Sequence, residues 1–93
     1  MIVAVRQWDL YLYGCHSLKE KRAILQSLKV HLRQELNVSV AETGSQDAWQ
    51  RAEISCAAVG SDRTVVEETL RSADRMVEQA AGARIVDTAT SFL

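Results

Sequence analysis

Ser17-Leu18-Lys19-Glu20-Lys21-Arg22 is the junction from which the fold is read. Ser17 and Glu20 have the spacing of a capping box, in which the serine oxygen accepts from the Glu20 N–H and the Glu20 carboxylate reaches back to the serine N–H. A helix therefore begins here. Downstream, Leu18, Leu25, Leu28, Leu32 and Leu36, with Ile24 at the margin, mark one face of about five helical turns. Asn37 is the expected end. Lys19, Lys21 and Arg22 fill the first turns, where the macrodipole favours anions and penalises each cation by a few tenths of a kcal/mol. The cluster answers to something other than helix stability.

Upstream, residues 2–12 read as a strand: Ile2, Ala4, Trp8, Leu10 and Leu12 alternate with more polar neighbours, and only Arg6 is out of place. Past the helix, Val38 and Val40 begin a short strand that stops near Gly44, and Gly44-Ser45-Gln46-Asp47 is turn chemistry. Ala52, Ile54, Cys56 and Ala58 are the inward positions of a strand from Gln50 to Val59. Asp62 then caps a helix with an apolar stripe of Val66, Thr69, Leu70, Ala73, Met76, Val77 and Ala80, ended by Gly82. A last strand runs from Arg84 to Phe92. The order is βαββαβ over a single domain, residues 1–93, with no linker or repeat. It predicts an α+β, ferredoxin-like sandwich: a four-stranded antiparallel sheet, first and third strands central, with two helices on one face.

Composition bounds the function. Ninety-three residues, 47% apolar and 25% charged, describe an ordinary globular domain. No apolar run approaches the ~20 residues a membrane helix requires. Met1-Ile2-Val3-Ala4-Val5-Arg6 lacks the pattern of a signal peptide, so the expected location is cytoplasmic, with no membrane partner. Cys15 and Cys56 make no disulfide framework, and no Cys/His spacing resembles a metal site. No cofactor is implied. Net charge is −1, yet residues 18–36 set Lys19, Lys21, Arg22, Lys29 and Arg33 against only Glu20 and Glu35.

Topology brings distant residues together. A right-handed β-α-β crossover makes the first two strands parallel, so their C-terminal ends share one end of the sheet. That end collects the Tyr13–Ser17 loop, Lys19, Lys21 and Arg22, the hairpin with Gln46, Asp47, Trp49 and Arg51, and, after the second helix, Gly82 and Arg84. Along the first helix, Lys19, Arg22, Gln26, Lys29 and Arg33 follow a 3-4-3-4 spacing, a stripe about 80° from the leucine face and nearly 20 Å long at ~1.5 Å per residue. Lys21 points nearer the leucines and has to snorkel over the end of the sheet. Such a stripe fits a run of phosphates, and its few acidic neighbours at i±4 leave it weakly paired. The competing reading is an ordinary solvated face.

Other residues carry less. Trp49 is expected to fold back as a lid on the core, with stacking on a base or a protein partner as the alternative; Trp8 belongs in the core. Adjacent Cys15 and His16 do not face each other as nucleophile and base. No carboxylate pair at hydrolase spacing and no phosphate-binding G-x-x-x-x-G-K loop occurs. No catalytic residues are therefore assigned. Tyr11 and Tyr13 fall with Val3 and Val5 on the open sheet face, but the third strand offers no aromatic there, unlike an RNA-recognition domain. That face suits protein contact, including a homodimer, through Val3, Val5, Tyr11 and Ala57.

Met1-Ile2-Val3, Ser17-Leu18-Lys19-Glu20-Lys21-Arg22, Asn37-Val38-Ser39-Val40-Ala41-Glu42 and Gln46-Asp47 with Trp49-Gln50-Arg51-Ala52, in that order, resemble the small bacterial DUF503 (YlxP-like) family of unknown function. The resemblance implies a ferredoxin-like fold and no established activity. Members are often encoded near translation initiation and ribosome-binding factors, which associates the family with RNA or the ribosome. Gly44-Ser45 precedes Gln46 here, where the family usually has a Gly-His pair, and Tyr13 replaces a usual proline.

The residues together lead to one expectation and two alternatives. The first is a non-enzymatic module binding RNA or a ribosomal particle. Lys19, Lys21, Arg22, Lys29, Arg33 and Arg51 would meet the nucleic acid, and Gln46, Asp47 and Trp49 would select the partner. The alternatives are a protein-interaction module or homodimer using the open sheet face, and a small-anion binder or enzyme at the Ser17–Arg22 helix start.

Overall fold

The computed structural model describes residues Met1–Leu93. In chain order it contains β1 (Ile2–Tyr11), α1 (Leu18–Glu35), β2 (Val38–Gly44), β3 (Arg51–Gly60), α2 (Arg63–Glu78) and β4 (Arg84–Phe92). The sheet order is β2-β3-β1-β4, and every neighbouring pair is antiparallel. This is the expected βαββαβ, ferredoxin-like α+β arrangement with β1 and β3 central. The sheet's helix-covered face and the apolar stripes of α1 and α2 close on one core.

Alternation along the strands decides which residues enter it. Ala4, Trp8 and Leu10 of β1 and Ala52, Ile54, Cys56 and Ala58 of β3 are buried beneath Leu25, Leu28 and Leu32 of α1 and Val66, Leu70, Ala73 and Val77 of α2. Trp8 is fully buried; truncating such a side chain to alanine costs about 3–5 kcal/mol.

Arg6, the exception in the alternation, does point to the helix side. Its Nε and Nη2 donate to Asp74 Oδ1 and Oδ2 of α2 at 3.0 and 2.6 Å, and Nη1 donates to Thr90 Oγ1 at 2.7 Å. Trp8 Nε1 donates to the same Asp74 Oδ1 at 2.9 Å. One carboxylate thus serves both a guanidinium and an indole and locks α2 to the central strand.

Both helices begin where the capping residues fall. Ser17 Oγ accepts from Glu20 N at 3.1 Å, but Glu20 Oε2 accepts from His16 N, at 2.8 Å, one residue before the serine. Asp62 Oδ1 accepts from Val65 N at 3.0 Å. The helix ends lie earlier than glycine and asparagine signals predict. α1 stops at Glu35, with Leu36 already extended as its cap so that its side chain packs on the core. α2 stops at Glu78, and Gly82, at φ +82°, belongs to the turn that launches β4.

Candidate functional site

The end of the sheet shared by the C-termini of β1 and β2 gathers the residues of interest. Lys21 lies at its base. The ammonium is buried; it donates to Ser45 O at 2.7 Å and Ala48 O at 2.8 Å and stands 3.1 Å from Glu42 Oε2. The two carbonyls take two of the ammonium's three donors, and Glu42 completes the site as its ion-pair partner. They fix the β2–β3 turn, in which Ser45 adopts φ +57°, against α1. The expected snorkel is therefore inward. Lys21 is removed from the nucleic-acid contacts that its position on the basic cluster suggests, because its charge is held by the hairpin.

Above this pair lies a groove of about 300 Å³ between α1 and the free edge of β2, lined by Arg22, Gln26 and Lys29 from the helix and Glu42 and Gln46 from the hairpin. Stripe and hairpin therefore meet. Glu42 is the one acid in the lining and Lys21 already neutralises it, so Arg22 and Lys29 dominate the groove's field. Neither forms an ion pair within the chain; the three that exist are Arg6–Asp74, Lys21–Glu42 and Arg63–Glu67. Lys19 and Arg33 extend the exposed stripe beyond the groove at either end. The Arg33 Nε donates to Lys29 O at 3.3 Å.

The hairpin differs from expectation at Trp49. Its side chain is 53% exposed and does not cap the core, because Leu12, Cys15 and the Lys21 stem already close that end. Asp47 is exposed in the turn, and Arg51 is exposed opposite Tyr11 in the β1–β3 register. Tyr11 also pairs in register with Arg84 of β4, whose guanidinium carbon lies 5.4 Å from the Tyr11 ring centroid. Tyr13 is 52% exposed, with its ring 6.4 Å from that of Tyr11.

The sequence pattern places Arg84 at this end and the tyrosines on the open face without joining them to the site. Strand parity combined with the β1–β4 register is the signal that unites them. A second feature it missed lies two residues along the strands. Asp9 pairs with Glu53 on one side and Asp87 on the other, a row of carboxylates across three strands of the open face. Gln7 Nε2 and Thr43 Oγ1 donate to Glu53.

The nucleophile candidates sit apart from this end's polar surface. Cys15 is buried, and its thiol donates to Ser17 O at 3.3 Å while His16 is exposed. Burial pushes the Cys56 thiol up from 9.0 to about 11, against the lowering influence of the Arg6 N–H and guanidinium. It is protonated at neutral pH. At the α1 start, the N–H groups of His16 and Glu20 are already bonded to Glu20 and Ser17 side chains. No group of three His, Cys, Asp or Glu side chains converges as a metal site, and no helix is long and apolar enough to cross a membrane.

The largest recess, about 520 Å³, lies away from these residues, between the helices; Ala23, Ile24, Met76 and Ala80 give it an apolar wall and His31 a polar one.

The chain has relatives of known sequence and a neighbour of known structure. A solved C-terminal segment of the alpha subunit of aIF2 from Pyrococcus abyssi is similar at a TM-score of 0.47 and 16% identity; the chain is covered completely but spans about half, 49%, of that chain. The uncharacterized protein YlxP of Bacillus subtilis (strain 168) is 37% identical over 70 residues, 75% of this chain and 76% of that protein. The family described as "Protein of unknown function (DUF503)" matches residues 3–90, nearly the whole βαββαβ unit. The chain belongs to the DUF503 family.

Proposed function

We propose that this protein is a non-enzymatic, cytoplasmic module that binds RNA, free or in a ribosomal particle, through the basic stripe of α1 and the adjoining hairpin. The observation that carries the reading is the groove in which Arg22 and Lys29 face Gln46 across a Glu42 already neutralised by Lys21. Lys19, Arg22, Lys29 and Arg33 meet successive phosphates as point charges, while Gln26 and Gln46 donate and accept at sugar or base edges. Of the acids on α1, Glu20 is engaged in the helix cap through the His16 N–H and Glu35 lies at the far end, while Asp9, Glu53 and Asp87 lie on the open face of the sheet. Binding of this kind releases counterions and weakens with salt.

Sedimentation of lysate through sucrose at low and high salt tests it, with Lys19, Arg22, Lys29 and Arg33 all reversed to glutamate as the comparison. Wild type travelling with ribosomal particles at low salt alone, and the folded variant staying at the top, supports the reading. Wild type remaining at the top in both conditions refutes the ribosomal form of the reading, and failure to bind a labelled RNA at low salt refutes the rest.

One observation favours a second reading, a homodimer through the open sheet face. Val5, Ser39, Ala41, Ser55 and Ala57 line a shallow recess of about 220 Å³ there, flat and small-residued enough for another sheet to pack on. A protein that sediments as a compact monomer at high concentration excludes it.

A further inference from the structure

Tyr11, Tyr13 and Arg84 meet where the open sheet face reaches the shared end, and Arg51 and Trp49 enter that end from the neighbouring strand and hairpin. Tyr11 stands between Arg51 and Arg84 in register. The β1–β3 ladder continues one step further, since Leu12 N donates to Gln50 O at 2.8 Å. That bond brings the residues just beyond the two strands, Tyr13 and Trp49, to the same end of the strand pair, and the Tyr13 ring lies 6.4 Å from that of Tyr11.

The Tyr13 and Trp49 rings are half exposed, so this end exposes two of the chain's few aromatic side chains to solvent. Arg51 and Arg84 have no carboxylate partner, although Glu53 and Asp87 lie close along the same strands. The end is thus cationic and aromatic, and the Glu53–Asp9–Asp87 row closes it off from the rest of the face. A polyanion crossing the sheet toward Val3 and Val5 would have to pass that row; one passing over the end toward Lys19 and Arg22 does not.

We infer that Tyr11, Tyr13 and Trp49, with Arg51 and Arg84, form a stacking platform for unpaired bases, so that the ligand of the basic stripe is a single-stranded RNA segment wrapping the sheet end and not a duplex. The inference rests on the RNA reading above and names its substrate class. Stacking requires a free π-face, which a base buried in a duplex does not offer, and it tolerates any base. The arginines hold the flanking phosphates and stack on rings themselves.

The two tryptophans supply the test. Trp8 is fully buried, so a collisional change in emission reports Trp49. The protein is titrated at low salt with an oligouridylate and, separately, with an RNA duplex carrying the same number of phosphates. The expected result is quenching by the single strand alone and affinity for it at least tenfold above that for the duplex. Tyr13→Ala should weaken the single-strand complex on the order of tenfold, and Tyr13→Phe should restore it, with melting temperatures unchanged. Equal binding of both RNAs without quenching overturns the platform and leaves the stripe standing. Quenching and preference that survive reversal of the four stripe cations overturn the stripe and leave the platform. Failure of both RNAs to bind overturns both.

Discussion

The Lys21 ammonium stands 3.1 Å from the Glu42 carboxylate and bonds to two carbonyls of the same hairpin, so one buried charge sets the relation between α1 and β2. It also gives the groove its sign, because without it Glu42 would cancel either Arg22 or Lys29.

Lys21→Met should therefore destabilise the fold by about 3 kcal/mol, since it orphans a carboxylate and two carbonyls at once. Adding Glu42→Leu should recover much of that loss, because an ion pair replaced whole by apolar groups is often neutral. Urea denaturation of the two variants checks this; a single variant as stable as wild type would contradict the assigned role.

Asp74 holds Arg6 and Trp8 together. Asp74→Ala should cost about 3 kcal/mol and perturb the near-ultraviolet dichroism of Trp8. Asp74→Asn retains an acceptor for the indole and should cost about 1–2 kcal/mol. Equal losses for the two would mean that the charge, not the shared acceptor, is what matters.

The Cys56 thiol is raised from 9.0 to about 11 by burial. Because the folded state holds this proton more tightly, the contribution is fully present below pH 9.0 and is lost as pH rises through about 11. Wild type should lose stability relative to Cys56→Ala across that window, as measured by denaturation at stepped pH. Parallel curves would contradict the raised value.

Asp9 faces Glu53 and Asp87 directly across two strand pairings. Like charges so placed destabilise a sheet, so Asp9→Asn should raise stability by about 0.2–1 kcal/mol, and added salt should shrink the gain. A loss of stability would show that the carboxylate has a favourable partner.

Much of this architecture could be read locally. The capping box, the two apolar stripes and the strand alternation are contacts within one element, and they place β1, α1 and β4 within a residue or two. What could not be read depended on residues far apart. Arg6 looks like an error in the β1 pattern until Asp74 arrives from α2, 68 positions on. The inward turn of Lys21 follows from carbonyls in a turn whose shape is set by the positive φ of Ser45. Trp49 could be taken for a lid only while Cys15 and Leu12 were not known to seal the same end. Of the site, the 3-4-3-4 stripe was legible because a helix preserves spacing. The union of Tyr11, Tyr13 and Arg84 needed the β4 register, which no local pattern carries.

The most direct test of the central claim is the salt dependence of binding to a labelled single-stranded RNA. Four phosphate contacts on Lys19, Arg22, Lys29 and Arg33 predict a slope of log K against log salt near −3, or affinity roughly 50-fold weaker at about 200 mM than at about 50 mM salt. Reversing the four cations should abolish binding while leaving the melting temperature within a few degrees, since they are surface positions. Binding whose affinity stays flat across that range, or that survives the reversals, would contradict the account.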